Sequence, residues 1–418
     1  MSNHHFEDFM PDGGKHDLFD KLQRLDKFLK EDEHPGVRGL GMLSLSGANP
    51  ISELQGHDGT SRSVIMLGSN SYLNMTTHPK VVAAARLALD KYGYGAGAVS
   101  LYAGITLLHR ELEAAIARFY GTEAAVLFPS GYGTNTGVLS ALCGPGDVII
   151  NDASNHTSIM DGCLLSRAEI KVYPHNNMEG LERILRRLPE SQAGRLIVTD
   201  GVFSMHGDLA PLDRIVALAR RYGARVMVDD AHGIGIVGPT GRGTAEAFDV
   251  MSGIDIHVAM LSKAPGGLGG FAAGSKALIQ YLRFYAHTYV FSTALPASVC
   301  AGLLEVFKLL ESDQAGRQQL LSRVAELKAR LSAAGFSIGD SDSGIVPLIV
   351  GDEGLLFAFQ RRLFENGVYA NTVTYPAVRR RECRIRFCMM ATLTSEELER
   401  AATIIIETGR ELGMIGNT

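Results

Sequence analysis

The chain has 418 residues, of which 46% are hydrophobic and 20% charged, enough to bury one large α/β core and a smaller companion. A formal charge of -5, from 40 Lys+Arg against 45 Asp+Glu, gives no reason to invoke nucleic acid or an acidic membrane surface, so no such partner is expected. The five cysteines (Cys143, Cys163, Cys300, Cys383, Cys388) lack paired spacing, which speaks against a disulfide framework or a zinc site, and no metal is expected.

The opening "MSNHHFEDFMPDGGKHD" is polar, with no apolar core of a signal peptide, and no run of roughly 18 apolar residues follows. A cytoplasmic protein without a stable membrane span is expected. Residues 1–62 read as an N-terminal arm. Within it "LFDKLQRLDKFLKED" places Leu18, Leu22, Leu25, Phe28 and Leu29 at helical spacing, and "GHDGTSRS" reads as loop. Residues 63–296 form the predicted large domain. It starts with the strand "VIMLGS" and the helix "PKVVAAARLALDKYG", with Pro79 at its start and Gly93 past its end. Apolar strands ("AAVLF", "DVIIND", "RLIVTDGV", "ARVMVDDAH") then alternate with helices such as "PLDRIVALARRYG". That alternation predicts a mainly parallel sheet with helices on both faces, and such sheets bind ligands beyond the carboxyl ends of their strands. Residues 297–418 read as a smaller α+β domain, with one long helical stretch over 297–335, the strands "GIVPLIV" and "RIRFCM", and a final helix "SEELERAATIIIETGRELG".

The unusual residues sit at those strand ends. Asp229 and Asp230 close one strand, with His232 just after. Such residues make a polar loop, or they hold an Asp at a pocket floor to pair with a protonated ring nitrogen, as pyridoxal phosphate needs. Lys263 stands in "AMLSKAPGGLGGF", after an apolar run and before glycines. Apolar surroundings lower a lysine's pKa and favour the nucleophilic amine that forms a Schiff base. In "FPSGYGTN" a strand, a Ser-Gly-aromatic turn and a helix start make an anion site from the backbone of Ser130, Gly131 and Tyr132. His156 in "NDASNHTSIMDG" reads as a ring that stacks on a flat cofactor or as a hydrogen-bonded structural residue.

Taken in order, Asn70, "SGYGTN", "NHTSIMDG", "DGVFSMHGDLAPL", "VDDAHGIGIVGPTGRG", "MLSKAPGGLGGF" and "YVFSTALP" resemble the α-oxoamine synthases, fold-type-I (aspartate-aminotransferase-like) enzymes that use pyridoxal 5'-phosphate. The resemblance runs from about residue 15 to residue 416. It implies that Lys263 carries the cofactor as a Schiff base, Asp229 pairs with its pyridine nitrogen and His156 stacks over its ring. It places His232 at the phenolic oxygen with Ser204 close by, and Ser130, Gly131, Tyr132 and Ser262 around the rest. It also implies a homodimer with shared sites, in which Ser292 and Thr293 of a neighbouring subunit complete the phosphate seat. Arg386 matches the arginine that grips the amino-acid carboxylate, a task suited to a planar guanidinium. Asn70 and Thr374 fall at substrate positions. The implied reaction is a decarboxylative Claisen-type condensation of an amino acid with an acyl thioester, acyl-CoA or an acyl carrier protein, giving an α-amino ketone, CO₂ and free thiol.

Among the members, "GVFSMHGDLAPL", "GVYAN" and the ending "RELGMIG" resemble bacterial serine palmitoyltransferase, which points to serine, with glycine or alanine as alternatives, and to a long-chain acyl-CoA. Thr374 with "YPAV" departs from that pattern toward 2-amino-3-ketobutyrate CoA ligase, so that activity, 8-amino-7-oxononanoate synthase-like activity or another fold-type-I aminotransferase are the alternatives. Met260 stands ahead of the lysine where a phosphate-binding threonine is usual, and Ser100 where an arginine is common. The basic "VRRRECRIR" (Arg379, Arg380, Arg381, Arg384, Arg386) reads as a solvated loop or as a contact for CoA phosphate or an acidic carrier protein.

Overall fold

A computed structural model describes residues 17–31, 40–189 and 194–416. The polar opening, residues 32–39 and the side chain of Leu29 lie outside the described set. The first helix runs Asp20–Glu31, with Phe28 buried and Leu22 exposed.

Three short strands follow: β1 (Leu43–Ser44), β2 (Ile51–Gln55) and β3 (Ser61–Met66). The stretch read as loop, 56–63, therefore contributes its last residues to a strand. Its first part is a tight turn in which Gly56 N–H donates to Thr60 O (3.0 Å) and Gly59 takes a φ of +77°. β3 then pairs parallel with β12 (Val368–Tyr369), so the start of the chain is stitched to its C-terminal third.

The large sheet contains β4 (Ala124–Phe128), β5 (Val148–Asp152), β6 (Glu169–Tyr173), β7 (Arg195–Asp200), β8 (Arg225–Asp229), β9 (Ile256–Met260) and β10 (Gly270–Gly274), in the order β4-β10-β9-β8-β7-β5-β6. Only β10 runs antiparallel to its neighbours. Alternate residues split to opposite faces, as the period of two requires. Ile149, Val198, Met227 and Val258 pack on Val138, Leu139, Ile159 and Leu282 of the helices Gly131–Leu142, Thr157–Ser166 and Lys276–Tyr285. Val148, Ile150, Ile197 and Val226 meet Leu181, Leu185, Ile215 and Val216 of Met178–Arg187 and Leu212–Tyr222 on the other face. Burial on both faces explains why these strands read as continuous apolar runs. This is the fold-type-I aspartate-aminotransferase-like architecture that the resemblance implied.

The long helical stretch is two helices, Ala297–Ser312 and Ala315–Ala333. Ser312 Oγ donates to Lys308 O (2.8 Å), and the Asp313 carboxylate accepts from Ala315 N–H (2.8 Å). These short polar side chains compete with the backbone ladder and restart the helix. A three-stranded antiparallel sheet, β11 (Ile345–Ile349), β14 (Arg384–Cys388) and β13 (Asn371–Val373), carries Arg386, and the helix Ser395–Glu411 closes the chain.

Candidate active site

Strands β4, β5, β7, β8 and β9 aim their C-terminal ends at one cavity of about 190 Å³, lined by Gly131, Tyr132, His156, Ser158, Asp200, Val202, Ser204, Asp229, Ala231, His232, Met260, Ser262 and Lys263. Eight of the residues read from the sequence thus meet here: Gly131, Tyr132, His156, Ser204, Asp229, His232, Ser262 and Lys263. No described helix is long and apolar enough to cross a membrane.

Asp229 ends β8 and is buried at the cavity floor. Its Oδ2 accepts from Asn135 Nδ2 (2.6 Å) and its Oδ1 from Ala231 N–H (3.0 Å). Burial raises its carboxyl above the ordinary value, opposed first by Lys263 and then by the Asn135 bond. Asp230 faces away and is spent on Thr244, whose N–H and hydroxyl it accepts at 2.5 and 2.8 Å. Lys263 is half-buried, and desolvation lowers its amine to about 8 although Asp229 and Asp200 pull it upward. His156 caps the helix Thr157–Ser166: its Nδ1 accepts from Ser158 N–H (3.2 Å) and pairs with Ser158 Oγ (2.8 Å), which leaves the ring at the cavity rim. His232 is buried, with Nδ1 2.8 Å from the hydroxyl of the fully buried Tyr72. Burial and the nearby Lys263 hold this imidazole neutral, well below its usual pKa.

Arg386 forms the adjoining wall. It is buried, donates from Nη1 to Ser204 O (3.1 Å) and from Nη2 to Asn70 Oδ1 (3.4 Å), and keeps Nε buried without a partner. A guanidinium with an unspent donor in a buried site is suited to an incoming carboxylate. Arg384, two residues earlier, is taken up by Met205 O (3.2 Å) and Glu382 O (2.8 Å). Ser130 serves as helix cap, its Oγ accepting from Gly133 N–H (2.9 Å). Ser130, Ser292, Thr293 and Thr374 do not line the cavity of this chain.

Sequence reasoning passed over Asp200, Asn135, Ser158 and Tyr72. Asp200 closes an apolar strand as Asp229 does, in "VTDG", and the same signal marks it. Asn135 lies one helical turn into "SGYGTN", and only the fold brings it to Asp229.

The set fits pyridoxal phosphate. A carboxylate braced by two donors suits the pyridine nitrogen, a lysine of lowered pKa suits the aldehyde, and the N-terminus of the helix Gly131–Leu142 suits the phosphate. Gly131 matters at that end: a Cβ there would lie 1.7 Å from Met260 Sδ. The thioether takes the place of the expected hydroxyl by resting on bare backbone. Gly131→Ala is therefore expected to weaken cofactor binding about tenfold, with much of the loss recovered in Gly131→Ala/Met260→Thr, as equilibrium titration of the apoprotein will show. Uptake kinetics give a second check. The neutral amine of Lys263 is the nucleophile, so the uptake rate is expected to climb on the order of tenfold per pH unit below about 8 and to level off above it.

The model of the aminotransferase class I and II family matches residues 62–405. The chain is 46% identical to the 8-amino-7-oxononanoate synthase of Geobacter sulfurreducens over 85% of its own length and 91% of the relative's. It is 43% identical to 8-amino-7-oxononanoate synthase 1 of Bacillus subtilis over 87% and 94%. The solved structure of Sphingomonas wittichii serine palmitoyltransferase superposes with a TM-score of 0.91 at 35% identity, covering 96% of this chain and all of that one. The chain belongs to the class I and II aminotransferase family and, within it, to the α-oxoamine synthases, fold-type-I enzymes that depend on pyridoxal 5'-phosphate.

Proposed function

We propose that this enzyme joins an amino acid to an acyl thioester with loss of CO₂, and that its pair of substrates is that of an 8-amino-7-oxononanoate synthase rather than of a serine palmitoyltransferase. The observation that carries the choice is the 46% identity to the Geobacter relative, against 35% to the palmitoyltransferase structure. An 8-amino-7-oxononanoate skeleton disconnects, across its new carbon–carbon bond, into alanine less CO₂ and an acyl group with a carboxylate at its far end. The lean toward serine and a long-chain acyl-CoA gives way to that reading. Acyl-CoA and acyl carrier protein both remain chemically suitable donors.

When bound, pyridoxal phosphate supplies the electron sink that stabilises negative charge at the amino acid's α-carbon. Asp229 would keep the proton on the ring nitrogen, and a paired carboxylate in a dry site does so strongly. Lys263, once free, takes the α-proton, for which an amine with a pKa near about 8 is suited. His156, held by Ser158, would cover one face of the bound ring, and His232, fixed by Tyr72, would stand at its phenolic edge. Arg386, with Asn70, seats the substrate carboxylate; Ser262 and Ser204 line the remainder.

A homodimer belongs to this proposal. Val99 pairs with Thr293, and Tyr94, Tyr102 and Phe291 in the same two segments are exposed, apolar rings that suit a second copy. Ser292 and Thr293 on that surface would complete the partner's phosphate seat.

Arg386→Ala is expected to raise KM for the amino acid by about 10²-fold while sparing KM for the thioester. Steady-state kinetics with each substrate varied in turn decides this. Equal effects on both would remove Arg386 from the carboxylate seat. A screen of alanine, serine and glycine against acyl thioesters, with and without a distal carboxylate, tests the choice of substrates, and preference for serine with a plain long chain would reverse it.

A further inference from the structure

Three side chains cluster outside the cavity but on the turn that borders it. His175 follows β6, while His206 and Asp208 lie in the turn after β7 that also carries Ser204. Their ligand atoms all lie within 4.8 Å of one another, and no ion is present.

Two independent features make this more than a hydrogen-bonded loop. His206 Nδ1 and Asp208 Oδ1 are both buried with no hydrogen-bond partner, as is the neighbouring Asn176 Oδ1. Buried polar atoms are nearly always satisfied, so three orphans in one place point to a missing partner. The second feature is the way His175 is held. Its Nδ1 lies 3.1 Å from Oδ1 of the buried Asp152, and its Nε2 lies 2.9 Å from Asp208 Oδ2. A ligating imidazole with its other nitrogen on a carboxylate is the usual outer-shell arrangement of a metal site. Asn176 Nδ2 steadies Asp208 Oδ2 from 3.0 Å. Arg384, whose charge bears on His206, is itself paired with Glu382 (3.6 Å).

We propose that His175, His206 and Asp208 bind a divalent transition ion of the zinc class, with Asp152 as the outer carboxylate on His175. Two imidazoles and one carboxylate form a donor set for such ions, with a fourth position left for water or Asn176 Oδ1. Binding displaces the proton that His175 shares with Asp208. The ion would tie the turn of residues 204–208 to the segment after β6. That turn offers Ser204 O to Arg386 (3.1 Å), so the ion would also stiffen the wall that seats the substrate carboxylate. The cysteine pattern could not reveal such a site, because its ligands are not cysteines and come from two separate segments.

Calorimetric titration of the cofactor-loaded protein with zinc chloride tests this. The wild type is expected to take up one more zinc per chain than His206→Ala or the more conservative His206→Gln. Asp152→Asn, which keeps all three ligands, is expected to bind that zinc about 10- to 100-fold more weakly. Zinc should raise the thermal midpoint of the wild type and leave that of the His206 variants unmoved. Equal zinc stoichiometry and equal thermal shift in the wild type and both His206 variants overturn the proposal and assign the uptake to other groups.

Discussion

Lys263→Ala protein is expected to carry no covalently trapped cofactor after borohydride reduction, and its turnover should fall by about 10⁴-fold or more. Two roles are lost together, the amine that attaches the cofactor and the base that moves the α-proton. The geometry makes the lysine hard to replace. Its amine is desolvated to a pKa of about 8, yet it stands in the field of Asp229 and Asp200. Mass spectrometry of the reduced peptide containing residue 263 reads the first role, and single-turnover kinetics the second. Lys263→Arg should fail equally, since a guanidinium keeps its proton. A wild-type protein that trapped its cofactor elsewhere would contradict the assignment.

Asp229→Asn should lower kcat/KM by about 10²- to 10³-fold while leaving the fold intact. An amide nearly matches the carboxylate in shape; its one oxygen can keep the Ala231 bond, and the Asn135 amide can turn its unpartnered Oδ1 toward the new N–H, so packing is preserved. What disappears is the charge that holds a proton on the ring nitrogen. Asp230→Asn acts differently: Asp230 accepts two bonds from Thr244, and Gly201, Gly233 and Gly243 crowd it so closely that a Cβ on any of them would meet its carboxyl within 2.4 Å. That variant is expected to lose stability, measured by thermal unfolding, more than it loses catalysis. The two neighbouring aspartates can thus be told apart by experiment.

What could be read in advance followed from local chemistry. Buried parallel strands such as "DVIIND" and "ARVMVDDAH" announce themselves as apolar runs, and their polar ends mark the site because the fold aims those ends at one place. The edge strand β6, "EIKVY", is only half buried and carries an exposed Lys171–Glu169 ion pair (2.5 Å), so it lacks that signal. The pairing of β3 with β12 joins segments about 300 residues apart, and nothing local encodes it. The same holds within the site. Lys263 and Asp229 stand out from their own neighbourhoods, whereas Tyr72 matters only because the fold sets its hydroxyl on His232, 160 positions later. The break at Ser312–Asp313 was written locally, in two short polar residues inside an apolar period, and the long periodic run masked it.

A condensation that expels CO₂ and thiol together leaves a stoichiometry that can be counted in one sample. The cofactor-loaded enzyme is incubated with carboxyl-labelled alanine and an acyl thioester carrying a distal carboxylate, and labelled CO₂, free thiol and amino ketone are counted in the same sample. The three are expected in equal amounts, and none is expected when the thioester is left out. Amino-group transfer to a keto acid, with the label retained and no thiol released, would contradict it.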